Sequence, residues 1–275
     1  MMKKIKWHKS DSIGSTNTYL RDLNSGDPEY EYEVAVASFQ TAGRGQKGNS
    51  WESEAGKNLL FSILAHPKSL KVQEQFYISE AIALAVSDSV IEAVGTAFAP
   101  DVSVKWSNDV YWKDYKMAGI LIENTLQGDC IPDTVVGVGL DVNQEVFVSD
   151  APNPISLKNI TGRDFNLEDL LQDIIARFIG YMECPASKRS DVDLLYRNRL
   201  YRREGYHKFR DENGEFSAQI EGILPDGCLM LQTDSGEHRT YEFKQVQFVQ
   251  GAIGDSPLLH VGCKRGLSPI APFEK

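Results

Sequence analysis

Gln40-Thr41-Ala42-Gly43-Arg44-Gly45-Gln46-Lys47-Gly48-Asn49-Ser50-Trp51 is the stretch around which the chain is organised. Alternating apolar runs flank it, at 34–39 before and 59–65 after. It therefore reads as a long loop between two strands. Glycines at 43, 45 and 48 permit positive φ and close approach of a ligand to the backbone. Their N–H groups can line an anion nest, to which Arg44 and Lys47 add charge. Trp51 offers a flat face to a ring. A phosphate or carboxylate beside a base would suit this loop. A solvated hairpin tip has the same composition, so the stretch alone leaves both readings open.

The totals narrow the classes. A chain of 275 residues suits one large domain, or one large and one small. With 41% hydrophobic residues it can build a core, and the 25% charged fraction is that of a soluble protein. A net charge of −10 argues against a general nucleic-acid binder, which needs a basic face. Cys130, Cys184, Cys228 and Cys263 are scattered, with no C-x-x-C pair, and the histidines form no zinc-type cluster. Reduced thiols in the cytoplasm are the simplest account. The first residues lack an apolar signal core, and no run approaches the ~20 residues that span a bilayer.

In chain order, residues 5–8 suit a short strand. Ser15 or Thr16 can cap a helix running to about Leu23. Strands are predicted at 34–39 and 59–65. A helix follows over 73–94, with Ile78, Ala81, Ile82, Ala85, Val86, Val90 and Ala93 on one core-facing stripe, closed by Gly95. Short strands are predicted at 102–106, around 111–112, at 116–124 and at 134–143. The turns between them are short, which implies antiparallel or mixed pairing. Pro152-Asn153-Pro154 marks a loop, and helices are expected at 167–182 and 191–203. From Tyr206 onward short strands alternate with turns at Asn213-Gly214, Asp226-Gly227 and Ser235-Gly236, the pattern of a small barrel. The expected division is 1–204, 205–250 and a tail at 251–275.

Several clusters can carry chemistry, each with a structural reading beside it. Ser15-Thr16-Asn17 either caps a helix or turns hydroxyls and an amide toward a polar ligand. Lys105-Trp106-Ser107-Asn108-Asp109 is either a half-buried strand and its turn or a site. In the second reading Lys105 faces phosphates, Asn108 reads a base edge and Asp109 helps hold magnesium. Lys116 is either solvated or aimed at a carboxylate or phosphoryl oxygen. Gly137 and Gly139 share one strand face, which leaves either close packing or a slot for a ring. No G-x-S-x-G, P-loop or Ser/His/Asp set occurs, which disfavours a covalent hydrolase or a P-loop NTPase.

Together, Ser15-Thr16-Asn17, the stretch 40–51, Lys105-Trp106-Ser107-Asn108-Asp109, Lys116-Met117-Ala118-Gly119-Ile120-Leu121-Ile122-Glu123 and Gly137-Val138-Gly139 resemble the biotin–protein ligases. The resemblance spans residues 15–249. It implies an α+β fold: a mixed β-sheet with helices, akin to the class II aminoacyl-tRNA synthetases, plus a small C-terminal SH3-like β-barrel. It implies biotin, ATP and Mg²⁺ as substrates and cofactor, and a biotin carboxyl carrier domain as partner. The implied activity forms biotinyl-5′-AMP and then transfers biotin to a carrier lysine. Lys116, Arg44 and Lys105 would be the catalytic cations. Ser15, Thr16, Asn17, Gln40, Gly43, Arg44, Gly45, Gln46, Lys116, Gly119, Gly137 and Gly139 would bind biotin. Lys47, Asn49, Trp51, Lys105, Asn108 and Asn143 would bind the nucleotide, with Asp109 on the metal.

The departures are also legible. Ser107 replaces the family's usual proline, Gln46 stands where some members carry arginine, and Asp141 takes the first place of an Asn-x-Asn pair. Only 14 residues precede Ser15, so no winged-helix DNA-binding domain is expected ahead of it. The family includes monomers and dimers, so a homodimer is allowed. Two other readings remain: a lipoate–protein ligase, and a biotin-binding module without turnover.

Overall fold

The computed structural model describes residues 4–23, 27, 29–45, 51–67, 70–148 and 153–249. Gln46, Lys47 and Asn49, the 251–275 tail and Cys263 lie outside the described residues. Two sheets organise the chain. The larger has seven strands in the order β1-β2-β3-β7-β6-β5-β4. These are β1 (Ile5–Ile13), β2 (Tyr32–Gln40), β3 (Leu59–Ala65), β4 (Val102–Lys105), β5 (Asp109–Trp112), β6 (Tyr115–Gln127) and β7 (Cys130–Leu140). All neighbours pair antiparallel except β1 and β2, which run parallel across the short helix α1 (Thr16–Asp22). The mixed sheet is as expected. The parallel pair was not, because β1 was read only as far as His8. Its second half is polar and exposed, and it is held by register with β2 (Ser12 opposite Phe39) rather than by burial.

One face of this sheet carries the core. Helix α2 (Phe76–Val94) is buried on nearly its whole circumference, beyond the predicted stripe, because α4 (Leu167–Met182) and α5 (Arg189–Asn198) cover it from outside. Leu170, Leu171, Ile174, Ile175 and Phe178 form the buried face of α4, and the Asn166 side chain accepts from Glu168 N and Asp169 N to cap it. Burying each large apolar side chain contributes about 1.5–3 kcal/mol, against ~1 kcal/mol for a cap. The face therefore decides that α4 exists, and Asn166 sets where it starts.

Other boundaries moved for local reasons. α2 begins at Phe76, not at 73, because residues 72–74 make a 3₁₀ turn. α5 stops at Asn198 rather than 203, because the chain leaves it to bond Val104: Val104 N donates to Arg199 O and Tyr201 N to Val104 O. β7 stops at Leu140: after one more in-register bond, Asp141 N to Met117 O, the chain leaves the ladder and Asn143 N turns to Lys57 O. A five-residue helix, α3 (Leu157–Thr161), capped by Ser156, was not predicted. Cys130, Cys184 and Cys228 are free thiols. Among the described residues no helix is long and apolar enough to cross a membrane.

The second sheet is antiparallel, in the order β11-β10-β9-β8-β12. Its strands are β8 (His207–Asp211), β9 (Gly214–Ile223), β10 (Leu229–Thr233), β11 (His238–Tyr241) and β12 (Gln247–Phe248). This is consistent with an SH3-like module. It is fastened to the first sheet at few points. Trp106 Nε1 donates to Gly227 O at 2.9 Å. Gly227, with φ +95°, lies so close to Phe76 that a Cβ would sit 2.6 Å from its ring. Arg197 bonds Asp193 and also Ile223 O.

Glu80 is buried at this junction (6% exposed). Burial, then the charge of and hydrogen bond to Asp193, push its carboxyl up to about 8, with Arg197 opposing. A carboxyl raised on folding stabilises fully below its usual value of 4.5, and the contribution is lost as pH rises through about 8. Unfolding free energy is thus expected to fall between those limits by up to a few kcal/mol. Glu80→Gln should flatten that slope in denaturant titrations across pH. An unchanged slope would show that Glu80 is not the group responsible.

Candidate active site

The cavity begins as a defect in the sheet. Gly119 on β6 and Gly139 on β7 are direct cross-strand partners. With no side chain on either, the indole of Trp51 lies against the sheet: a Cβ on Gly119 would sit 2.8 Å from the ring and one on Gly139 2.5 Å. Two residues along β7, a Cβ on Gly137 would sit 1.9 Å from Asn17 Oδ1. Close packing is therefore what the structure shows at these positions, and the space for a ligand lies beside them. The glycine loop closes on itself, since Trp51 N donates to Gly43 O at 3.3 Å. Its first residues are pinned to the end of β1, Thr41 N to Ile13 O and Ala42 N to Gly14 O.

One wall is the N-terminus of α1. Seven residues make a marginal helix alone. It is held by the Ser15 cap on Thr18 N and by Leu20, buried with Ala35, Leu64 and Val135. Gln40 Oε1 accepts from Thr16 N (2.8 Å) and Thr16 Oγ1 (3.2 Å). Buried Ser62 donates to Asn17 Oδ1 and lies 2.7 Å from Thr16 Oγ1. Asn17 Nδ2 donates to Leu121 O and to Glu123 Oε2. Glu123 also takes Arg44 at 2.8 Å and Arg21 at 3.3 Å. Ser15 is both cap and cavity wall, so the two readings of that triplet coincide in space.

The opposite wall carries Lys116, whose ammonium pairs with Asp109 at 2.8 Å and lies 5.7 Å from the centre of the Trp51 ring. The turn that presents Asp109 is fixed from three sides. Ser107 O accepts from Tyr196 OH, Trp106 bonds Gly227 O, and Asn108 Nδ2 donates to Ile120 O. Asn108 Oδ1 accepts from Ser107 Oγ at 2.7 Å, so both ends of the amide hold protein atoms. Among the described residues no three His, Cys, Asp or Glu cluster to hold a metal. One carboxylate beside Lys116 fits a magnesium ion carried in by nucleotide phosphates, which supply most of its oxygens.

The cavity encloses about 870 Å³. Of the residues singled out from the sequence, it brings together Ser15, Thr16, Asn17, Gln40, Arg44, Gly45, Trp51, Asn108, Asp109, Lys116, Gly119, Gly137 and Gly139. Gly43 stands just behind, in the loop closure. Two further residues, Lys105 and Asn143, are also not brought to the wall. Lys105 turns its ammonium to Tyr111 OH (3.0 Å) and lies over the rings of Tyr111 and Phe248. Burial pulls its pKa below the usual value, against the opposing charge of Asp109. Asn143 clamps Phe165, donating to its carbonyl and accepting from its N–H.

Sequence reasoning missed Glu123, although its place four residues after Gly119 on β6 puts it on the same strand face. It also missed Phe147, Asn153, and Phe243 and Lys244 from the second sheet. No motif signals these, because they reach the cavity only through tertiary packing. The Arg44–Glu123 pair joins side chains 37% and 26% exposed, so it contributes only ~0–1 kcal/mol. Glu123→Gln should therefore leave the thermal midpoint nearly unchanged while raising tryptic cleavage after Arg44 several-fold. Equal cleavage rates would show that Glu123 does not tether the loop.

Residues 10–141 match the model of the biotin/lipoate A/B protein ligase family. The biotin–[acetyl-CoA-carboxylase] ligase of Paracoccus denitrificans is 30% identical over 208 residues, covering 73% of this chain and 84% of that protein. The bifunctional ligase/repressor BirA of Bacillus subtilis is 27% identical over 238 residues, 84% of this chain and 70% of its own. In fold, the chain is similar to the Aquifex aeolicus biotin protein ligase solved with biotin and ATP. The TM-score is 0.72 at 24% identity, over 91% of this chain and all of that one. With the glycine loop, the Lys116 strand and the paired glycines on one cavity, the chain belongs to the biotin/lipoate A/B protein ligase family.

Proposed function

We propose that this protein is an ATP-dependent, AMP-forming biotin–protein ligase. A single observation carries the reading: one cavity gathers five separated segments and sets uncharged donors and acceptors beside the cations Arg44 and Lys116. Thr16, Gln40 and the α1 terminus suit a urea-like ring, which needs donors and acceptors together. Lys116 and Arg44 suit the meeting of a carboxylate with a phosphate, where like charges must approach. The Trp51 indole separates the two ends and offers a face to a ring.

In this reading the biotin carboxylate attacks the α-phosphorus of ATP, and pyrophosphate leaves. The product is the mixed anhydride biotinyl-5′-AMP. An amine from a lysine of a biotin carboxyl carrier domain then attacks the acyl carbon, and AMP departs. No nucleophile of the enzyme is consumed, and the rate comes from positioning and charge stabilisation. Lys116 holds the carboxylate against the α-phosphate. Arg44 reaches the same oxygens after leaving Glu123. Asp109 is the residue that would hold a magnesium ion brought by the nucleotide, which would supply neutralisation of phosphate charge. Lys105 acts from behind the wall, adding positive potential and orienting Tyr111. The relatives named as acetyl-CoA-carboxylase ligases support the carrier assignment.

Residues 1–204 form the catalytic unit in this proposal, and 205–250 an SH3-like module that lends Phe243 and Lys244 to the cavity. A lipoate ligase would need room for an extended dithiolane acid. The hydroxyl-and-amide lining at the α1 end favours the ureido ring instead.

The test is ATP–pyrophosphate exchange with biotin and, in parallel, with lipoate. Biotin-dependent exchange is expected, and lipoate-dependent exchange alone would overturn the assignment. Lys116→Ala should lower exchange by about 100-fold or more while the unfolding transition is kept. Full activity in that variant would remove Lys116 from the mechanism.

A further inference from the structure

Lys116 owes its place to a segment that no motif marks. The β6–β7 ladder begins at Ala118, so Lys116 lies beyond its end. The segment 153–155 takes the place of β7 there. Lys116 N donates to Asn153 O at 2.8 Å and Ile155 N to Lys116 O at 3.0 Å, a parallel bridge centred on Pro154. A proline fits the centre, because the bridge uses the groups on either side of it and not the N–H that proline lacks. On its other edge Lys116 faces Tyr111 of β5. The segment is anchored in turn: Ile155 and Leu157 are buried, and Leu157 N donates to Asp141 O.

The Asn153 side chain completes the bracket. The residue stands at the cavity wall, 5% exposed. Its Nδ2 donates to Asp114 O, in the turn that opens β6, and the same amide reaches the Tyr111 hydroxyl. A carbonyl oxygen only accepts, so the amide must turn its nitrogen to Asp114. One residue thus grips Lys116 itself, the turn before it and its cross-strand partner.

This grip matters because of how the far end of the lysine is held. Its stem has four carbons and high rotamer freedom. Asp109 holds the ammonium at 2.8 Å, but a ligand anion competes for that ammonium. The root of the side chain is the end that stays fixed throughout.

Resting on the ligase reading, we infer that Asn153 is a positioning residue for adenylate formation, acting through the root of Lys116. In that step a carboxylate oxygen of biotin bonds to the α-phosphorus of ATP, the bond to the pyrophosphate oxygen breaks, and no proton moves. Asn153 supplies no group to the reacting atoms. It sets where the Lys116 ammonium meets them. A segment that merely closed the sheet would serve the fold equally well whatever residue stood at 116, and this separates the two roles.

The experiment is a double-mutant cycle read by biotin-dependent ATP–pyrophosphate exchange on the full chain. It compares wild type, Asn153→Leu, Lys116→Ala and the double variant, with the unfolding midpoint of each. Leucine matches the amide in size but cannot donate. Asn153→Leu should lower kcat by about 10–100-fold, up to the scale of a 1 Å misplacement, with KM for biotin and ATP changed far less. In the Lys116→Ala background the same substitution should change the rate by less than about twofold, because the group it positions is gone. Equal losses in both backgrounds would overturn the inference and assign Asn153 to the fold. Full activity in Asn153→Leu, or a loss confined to KM, would overturn it too. Asn153→Ser runs the same cycle should the leucine variant not fold. Amide hydrogen exchange on the wild type checks the bracket itself: the Lys116 and Ile155 N–H groups should be as protected as the β6–β7 ladder, and loop-like rates would refute it. A wild type without biotin-dependent pyrophosphate exchange would sink the ligase reading instead, a case told apart by a bracket that stays protected.

Discussion

The site depends on a steric exclusion. Gly119 and Gly139 face each other across β6 and β7, and a methyl group on either would collide with the Trp51 ring. Interiors pack at near-crystalline density, so a missing pair of side chains is filled by whatever flat group the fold can deliver. Here that group arrives at the end of the glycine loop. Once the indole is seated, the cavity has two ends and a middle. The end toward α1 is lined by an amide and hydroxyls bonded among themselves, with Arg44 beside them through Glu123, while Lys116 stands at the indole. The far end holds the buried acid Asp141. Division of labour within the site follows from the position of one ring, and that position follows from two absent Cβ atoms.

The cations are held by carboxylates. Lys116 sits on Asp109 and Arg44 on Glu123, each at 2.8 Å. A ligand anion must therefore replace a carboxylate rather than meet a bare charge. The exchange is close to balanced, because the groups are partly exposed and the pairs weak. It also sets a condition on geometry. Arg44 lies on the loop and Glu123 on the sheet, so releasing the pair frees the loop end from the strand. Lys116 and Asp109 lie on adjoining strands and stay close whichever partner the ammonium takes. The two cations thus differ in kind: Lys116 and its partner lie on paired strands, while Arg44 belongs to a loop tied to the sheet through Glu123.

Much of this was legible in the sequence, for reasons that can be named. Gly137 and Gly139 pointed to one strand face because strand periodicity is strict, and Ser15 pointed to a helix start because capping chemistry is local. Strand 59–65 was placed to the residue by its apolar run, interrupted only at Ser62. What failed to show was what depends on distant partners. The polar half of β1 carries no burial signal, and only its pairing with β2 makes it a strand. Asn108 and Asn143 look like ligand-readers in sequence, because an amide's type says nothing of who occupies it. In the fold both ends of each are taken by protein. Lys105 is similar: its motif neighbour Asp109 faces the cavity, but the lysine itself turns to Tyr111 and the second sheet.

That turn of Lys105 bears on how the second sheet supports the cavity. The segment 105–109 is gripped by Tyr196 from α5, by Ile120 from β6 and by Gly227 from the second sheet. Phe248 of that sheet lies under the Lys105 ammonium, and Phe243 packs edge-on against Trp106 at 5.9 Å. Removing the module would therefore do more than open the cavity mouth. It would strip the aromatic face from a partly desolvated ammonium and leave the Trp106 N–H without its acceptor, loosening the turn that presents Asp109 to Lys116. In the proposed reaction the small sheet therefore acts at a distance, through the turn that holds Asp109 against Lys116.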